Sequence, residues 1–294
     1  MNKGVGYGIA TYVLWGLLPV YWKCLHRVPA LQLVSHRIVW SCLFLIGVVL
    51  LSGQARALRR AWLTPSIRYL YLLASLLIGI NWTFYIWAVN AGLMVEASLG
   101  YFINPLLNVL LGVLFFRERL RVWQWVSLGV ALSGVIYLTV AYGRLPWVAL
   151  VLAVSFACYG AVKKVAPLGA VQGLTLETAI LALPALIYLG YEEVVGQGAF
   201  LHGGAEETVL LVGAGLMTTA PLLLFAAAVQ RIPLSLMGIL QYLSPTLQFL
   251  LGVLVYRELI TVQRLVGFGL VWAALVIFGI DAMRARQGAK SKTA

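Results

Sequence analysis

Apolar residues run in long blocks along this chain, broken at short intervals by polar ones. Ten blocks stand out, at about 4–22, 31–52, 69–90, 93–116, 122–141, 146–164, 173–191, 207–230, 232–256 and 263–283. Each is close to the roughly 20 residues that an α-helix needs to cross about 30 Å of hydrocarbon. None alternates apolar and polar residues over a strand of about ten residues, which argues against a membrane β-barrel. The pattern predicts an all-α polytopic membrane protein with ten transmembrane helices. The links are short except for a basic stretch at 53–68, an acidic stretch at 192–207 and the tail 284–294, and none of these has room for a soluble domain. The first block is followed by Lys23 without a small-residue cleavage site, so it reads as an uncleaved helix.

One segment is written twice. "PLLNVLLGVLFFRE" (105–118) and "PTLQFLLGVLVYRE" (245–258) are identical at nine of fourteen positions, at a constant offset of 140. Ala88-Val89 and Ala228-Val229 repeat at the same offset. The copies fall in the fourth and ninth blocks, an odd number of crossings apart, so they run in opposite directions. This predicts two inverted five-helix repeats, 1–143 and 144–283, followed by a basic cytoplasmic tail, 284–294. Inverted repeats of this kind place a substrate site near the midplane between the halves and expose it to each side in turn. A proline inside a helix removes one N–H and clashes with the carbonyl four residues back. Pro105 and Pro245 should therefore free the carbonyls of Tyr101 and Gln241. Free carbonyls at membrane depth must face protein or a wet cavity. Both prolines are expected to kink gating helices that line a central cavity, with Asn104 and Ser244 adding polar side chains beside them.

Composition narrows the class further. Hydrophobic residues make up 62% of the chain and charged ones 10%, against about 45–50% and 25% in soluble domains. That excludes a water-soluble fold. The net charge of +12 does not point to nucleic acid, because Lys and Arg sit between the blocks. With both termini on one side, that side carries 15 of the 21 basic residues and is expected to be cytoplasmic. Cys24, Cys42 and Cys158 match no metal-ligand spacing and read as small packing residues. Walker A, HExxH and GxSxG patterns are absent from the sequence, and Asp281 is its single aspartate. A transporter is expected rather than an enzyme, with no cofactor and no metal. The alternatives are a ligand-binding membrane sensor and a polytopic membrane enzyme.

The block "NWTFYIWAVNAGLMVEASLGYFINPLLNVLLG" (81–112) resembles the RarD branch of the EamA-type permeases, in the drug/metabolite transporter superfamily. "SHRIVWS" (35–41), "SFACYG" (155–160), "LETAILALP" (176–184) and "LQYLSPTLQFLLGV" (240–253) carry the same resemblance. It implies ten helices in two EamA repeats, cytoplasmic termini, a bacterial inner (plasma) membrane and the role of a permease. Members of the branch are commonly named for chloramphenicol sensitivity, and better-characterised relatives export amino acids and other metabolites. The expected function is secondary transport of a small amphipathic metabolite, amino acid or drug by alternating access, as an exporter. The expected partners are that small molecule, the lipid bilayer and protons, with the protein a monomer or weak homodimer.

Ionisable groups inside spans are costly and usually functional. His36 and Arg37 lie about six residues into the second block, and Glu96 a similar depth into the fourth, so Arg37 and Glu96 are expected to pair. Arg37 is the candidate anchor for a substrate carboxylate or other polar group. His36, Glu96 and Glu177 are candidate proton-coupling groups, because histidine titrates near neutrality and burial raises a glutamate toward it. Asn81, Trp82 and Tyr85 share a face of the third block. Together with Trp15, Trp40, Tyr101, Tyr159 and Tyr242 they suggest an aromatic-walled site. Trp22, Trp123, Trp125 and Trp147 lie at block ends and read as the interfacial belt. Arg117-Glu118 and Arg257-Glu258 read as helix-end charges complementing a dipole. Gly4 with Gly8, and Gly129 with Ser133, read as close-packing pairs.

Overall fold

A computed structural model describes residues 3–143, 145–257 and 261–291, with the side chains of 95 and 285–291 outside the description. Among the described residues the chain is helical between short links, without strands. The helices are α1 (Lys3–Cys24), α2 (Ala30–Leu51), α3 (Ala55–Leu63), α4 (Pro65–Asn90), α5 (Met94–Leu114), α6 (Val122–Tyr142), α7 (Trp147–Val165), α8 (Ala170–Val194), α9 (Ala205–Val229), α10 (Leu234–Gln241), α11 (Leu243–Leu250) and α12 (Val262–Ser291). α11 continues into a π-helical turn at Leu251–Val255. Ten spans are long and apolar enough to cross a membrane, with α10, α11 and the π turn together making one of them.

Local sequence explains many of the boundaries. Pro29, Pro146 and Pro233 precede α2, α7 and α10, and Pro65 opens α4. Proline suits these places because the first N–H groups of a helix have no internal acceptor. Gly143 closes α6 in the left-handed region, at φ 79°. The basic stretch after α2 is not a bare loop. It folds into α3, which buries Ala61, packs Leu58 beside Tyr71, Ala166 and Leu176, and leaves Arg56, Arg59 and Arg60 exposed.

Gly4 packs on Arg231 and Ile232, Glu118 reaches Leu234 and Ser235, and Arg121 pairs with Asp281. These contacts gather the start of α1, the α5–α6 and α9–α10 links and the last turns of α12 at one end of the bundle, the terminal end. The other, distal end holds the α1–α2 and α8–α9 links, joined where Gln32 bonds Glu192, Gln197 and Ala199. Between the ends, α2 packs on α8, α5 on α10 and α6 on α12. Two further contacts are matched by others: α1 on α9 by α7 on α4, and α1 on α11 by α7 on α5.

The duplicated segments behave alike at their ends and differently at their prolines. Arg117 and Arg257 both adopt φ 52°. Phe116 N–H reaches back five residues to the Leu111 carbonyl at 3.4 Å, and Tyr256 N–H does so to Leu251 at 3.0 Å. α5, however, runs through Pro105 without a break, whereas the second copy divides at Tyr242 into α10 and α11. The two copies thus differ in continuity, one helix unbroken and the other divided three residues before Pro245. Pro105 is clamped against α10, its carbonyl oxygen only 2.5 Å from where a Cβ on Gly238 would stand.

Close helix approach depends on such glycines. Gly8 meets Leu240 and Met237, and a Cβ on Gly215 would stand 2.7 Å from the Ser41 backbone nitrogen. Gly129 meets nothing within 4 Å, and Ser133 is exposed, so the expected packing pair on α6 is not formed. Gly238→Ala should push α5 and α10 apart and destabilise the purified protein by about 1–3 kcal/mol. Gly129→Ala should be neutral or stabilise by up to about 1 kcal/mol, through lower unfolded-chain entropy. Thermal unfolding of both variants in detergent distinguishes the two cases.

Candidate functional site

α1, α2, α4, α5, α7, α9, α10 and α11 enclose a cavity of about 220 Å³. A larger hollow of about 700 Å³ shares Pro19, Tyr85, Tyr101, Pro245 and Gln248 with it and extends to Met94, Tyr142, Thr261 and Arg264 near the distal end. The floor of the cavity is aromatic. Tyr12, Trp15 and Phe156 line it, and Trp15 and Phe156 pack on Phe225, which stacks on Tyr159.

Of the sequence candidates, Trp15, Arg37, Asn81, Trp82, Tyr85, Tyr101, Asn104, Ser244 and Pro245 line this cavity. Arg37 Nε donates to Thr218 Oγ1 at 2.8 Å, and Thr218 in turn donates to the Ala214 carbonyl. The guanidinium carbon lies 4.6 Å from the Trp22 ring centroid and 5.5 Å from that of Trp82. Two indole faces and one hydroxyl thus hold the cation inside the bundle instead of releasing it to the membrane surface.

Amide side chains build the cavity's polar wall. Asn81 Nδ2 donates to the Leu152 carbonyl and to Ser155 Oγ, and Asn104 Nδ2 to the Ala153 carbonyl. Buried Asn108 donates to Asn104 Oδ1 at 3.1 Å and to Gln241 Oε1 at 2.9 Å, joining α5 to α10. Gln248 Nε2 donates to the Trp15 carbonyl at 3.2 Å. Gln241, Gln248, Thr218, Tyr12 and Phe156 were not among the sequence candidates. The repeat held a signal for one of them, since Asn108 and Gln248 occupy the same position in the two copies, four residues after Asn104 and Ser244.

Other candidates stand apart from the cavity. His36 and Trp40 pack on Phe200 of the α8–α9 link, with ring centroids 5.4 and 5.6 Å away. Tyr242 donates to the Phe102 carbonyl within the α5–α6–α12 core. Pro105 faces α10, as described above. The expected Arg37–Glu96 pair is not formed. Glu96 instead accepts from Tyr142 Oη at 2.6 Å and from the Val148 amide at 3.2 Å, because its side chain turns toward α6 and α7. Trp22, read as interfacial, lines the cavity and covers Arg37.

The terminal end is closed by buried ionic contacts. Lys163 Nζ lies 2.6 Å from Glu177 Oε1, with side chains 1% and 2% exposed. Tyr159 Oη donates to the second oxygen of Glu177 at 2.9 Å. Glu177 is therefore locked into a core pair. Glu118 has a similar surprise. Its two oxygens accept the Leu234 and Ser235 amides at 2.7 and 2.9 Å, so it neutralises the N-terminus of α10 rather than serving its own helix end. Lys164 donates to the Ile232 carbonyl at 2.7 Å beside it. Glu258 lies outside the described residues. Among the described residues, no three His, Cys, Asp or Glu side chains converge as metal ligands would.

Breaking the buried pair from one side strands a charge. Lys163→Met and Glu177→Leu should each lower stability by about 3–5 kcal/mol, and the double variant should recover part of the loss. Unfolding of the three variants in detergent measures the coupling.

The EamA-like transporter family model matches residues 2–140. Protein RarD of Streptomyces exfoliatus is 45% identical over 99% of this chain and 92% of its own length. An uncharacterized transporter of Bacillus subtilis, YojE, is 44% identical over 99% of this chain and 98% of its own. A solved crystal structure superposes with a TM-score of 0.71 at 21% identity, covering 94% of this chain and 97% of the other.

Proposed function

Because the chain belongs to the RarD family of EamA-type transporters, we propose that it is a secondary transporter working by alternating access around the Arg37 cavity. The halves 1–143 and 144–283 are the moving bodies, related by an inverted repeat. The paired packing of α1 with α9 and α7 with α4 supports this, as do the matching φ values at Arg117 and Arg257. The observation that carries the reading is the asymmetry of the cavity. A wide hollow leads from it toward the distal end, while Lys163–Glu177 and Glu118 on α10 close the terminal end. This asymmetry supports the reading of a carrier open to one side.

The distal end is external and both termini are cytoplasmic, in a bacterial inner or plasma membrane; the distribution of Lys and Arg supports that orientation. The cargo is a small amphipathic molecule, and the direction is export. Arg37 holds its polar group, the aromatic floor its apolar body, and Asn81, Asn104 and Ser244 border the same space. Of the three proton-coupling candidates we retain Glu177. Protonating it would release Lys163 and loosen the terminal end, whereas His36 and Glu96 face neither the cavity nor that closure.

Purified protein in liposomes should give saturable counterflow of at least one solute from a panel of amino acids and amphipathic drugs. Arg37→Ala should lower that rate by about tenfold or more, the scale expected for loss of a charged contact to the solute. A pH gradient should accelerate the flux, and Glu177→Gln should abolish that acceleration. Saturable ligand binding without flux of any solute would favour a sensor, and chemical turnover an enzyme. In a background free of the three native cysteines, Gln197→Cys should react with an impermeant maleimide from outside intact cells. Gln54→Cys should react only after the membrane is opened.

A further inference from the structure

Resting on the transport reading of the same cavity, we infer that its cargo is an organic monoanion: a carboxylate or equivalent acid on a planar apolar body, in preference to a zwitterion or a cation. The inference comes from the charges the passage contains. Among the described residues, Arg37 is the one charged side chain lining the inner cavity, and Arg264 the one lining the outer hollow. No carboxylate borders either space among those residues. The distal acids Glu192, Glu193, Glu206 and Glu207 belong to α8 and α9, away from these walls. Glu96, next to the lining residue Ala97, is turned to Tyr142 and Val148.

Arg37 is also incompletely satisfied by the protein. Among the described residues its one hydrogen-bond acceptor is Thr218, bound through Nε. Arg37 lines the cavity, and its guanidinium is flanked by the Trp22 and Trp82 rings, which offer no lone pair. A guanidinium presents a rigid fork matched to a planar, two-oxygen acceptor. A cation held at membrane depth without a counterion is costly, and a bound acid removes that cost. Gln241 adds a second donor: its oxygen is taken by Asn108, which leaves its amide N–H groups for the cavity.

The same inventory disfavours the alternatives. An amine would enter a space with a fixed positive charge and no acid to pair with. An amino acid would satisfy Arg37 with its carboxylate but leave its ammonium with ring faces and neutral oxygens. Size agrees with a one-ring acid. An apolar cavity of about 150 Å³ accommodates benzene, and this one is about 220 Å³ with aromatic walls.

The test uses the full-length protein in detergent, with fluorescence of Trp22 and Trp82 beside the cation as a binding signal and calorimetry as a second one. The probes are phenylacetate, phenylacetamide, 2-phenylethylamine and phenylalanine. Phenylacetate should bind more tightly than each of the other three by about tenfold or more. Arg37→Gln should weaken phenylacetate by about 100-fold while changing phenylacetamide by less than about threefold. The retained phenylacetamide binding shows that the variant is folded, and Arg37→Lys should fall between wild type and Arg37→Gln because it keeps the charge but not the fork. Equal or tighter binding of phenylalanine or 2-phenylethylamine overturns the inference, as does the absence of saturable binding by all four probes. Flux assays with the same probes separate the two readings. Acid-selective binding without flux keeps this inference and removes transport, whereas flux of amines or zwitterions without acid preference keeps transport and removes the inference.

Discussion

Hydrocarbon supplies no hydrogen bonds, so backbone polar groups carried into the membrane must be paired within the chain or face a wet cavity. That constraint organises the structure. Backbone carbonyls of Leu152 and Ala153 take amides from Asn81 and Asn104. The break at Tyr242, the amides of Asn108, Gln241 and Gln248, and the guanidinium of Arg37 all gather around one hollow. Where two charges are buried away from it, as at Lys163 and Glu177, they are in contact with each other. The cavity is thus where the chain concentrates groups that neither lipid nor a close-packed core would accept.

The two copies of the duplicated segment share a sequence pattern without sharing a shape throughout. Their ends agree in torsion angle and in the five-residue hydrogen bond that closes each helix. At their prolines they differ, one helix continuing and the other dividing. A proline removes one hydrogen bond and adds one clash; the packing around it decides the result. Pro105 is in close contact with α10 at Gly238. Pro245 lines the hollow instead. One sequence motif in two environments gives a continuous helix in one copy and a divided one in the other.

What could be read beforehand was what depends on segment composition. The ten blocks correspond to the ten spans, and the residues grouped as Asn81, Trp82 and Tyr85 share one wall because they share one helix face. What could not be read was which helix faces which. Depth alone made Glu96 a partner for Arg37, but the two point to different neighbours, and Thr218 took the place instead. Thr218 carried no signal, since threonines commonly bond the carbonyl four residues back within their own helix. Trp22 sits near a span end, where tryptophan usually meets headgroups, and only its proximity to α2 reveals another role. The partner of Glu177 was equally illegible: Lys163 lies on the preceding helix, and only the folded bundle brings the two charges together.

The grip of Glu118 on α10 bears on how the protein is made. Eight residues are too few for a helix to persist alone, since nucleation is unfavourable and little propagation follows. The first turn of α10 rests on a carboxylate supplied by the link between α5 and α6, which leaves the ribosome more than a hundred residues earlier. In translation order the carboxylate that seats α10 therefore precedes the helix that docks on it.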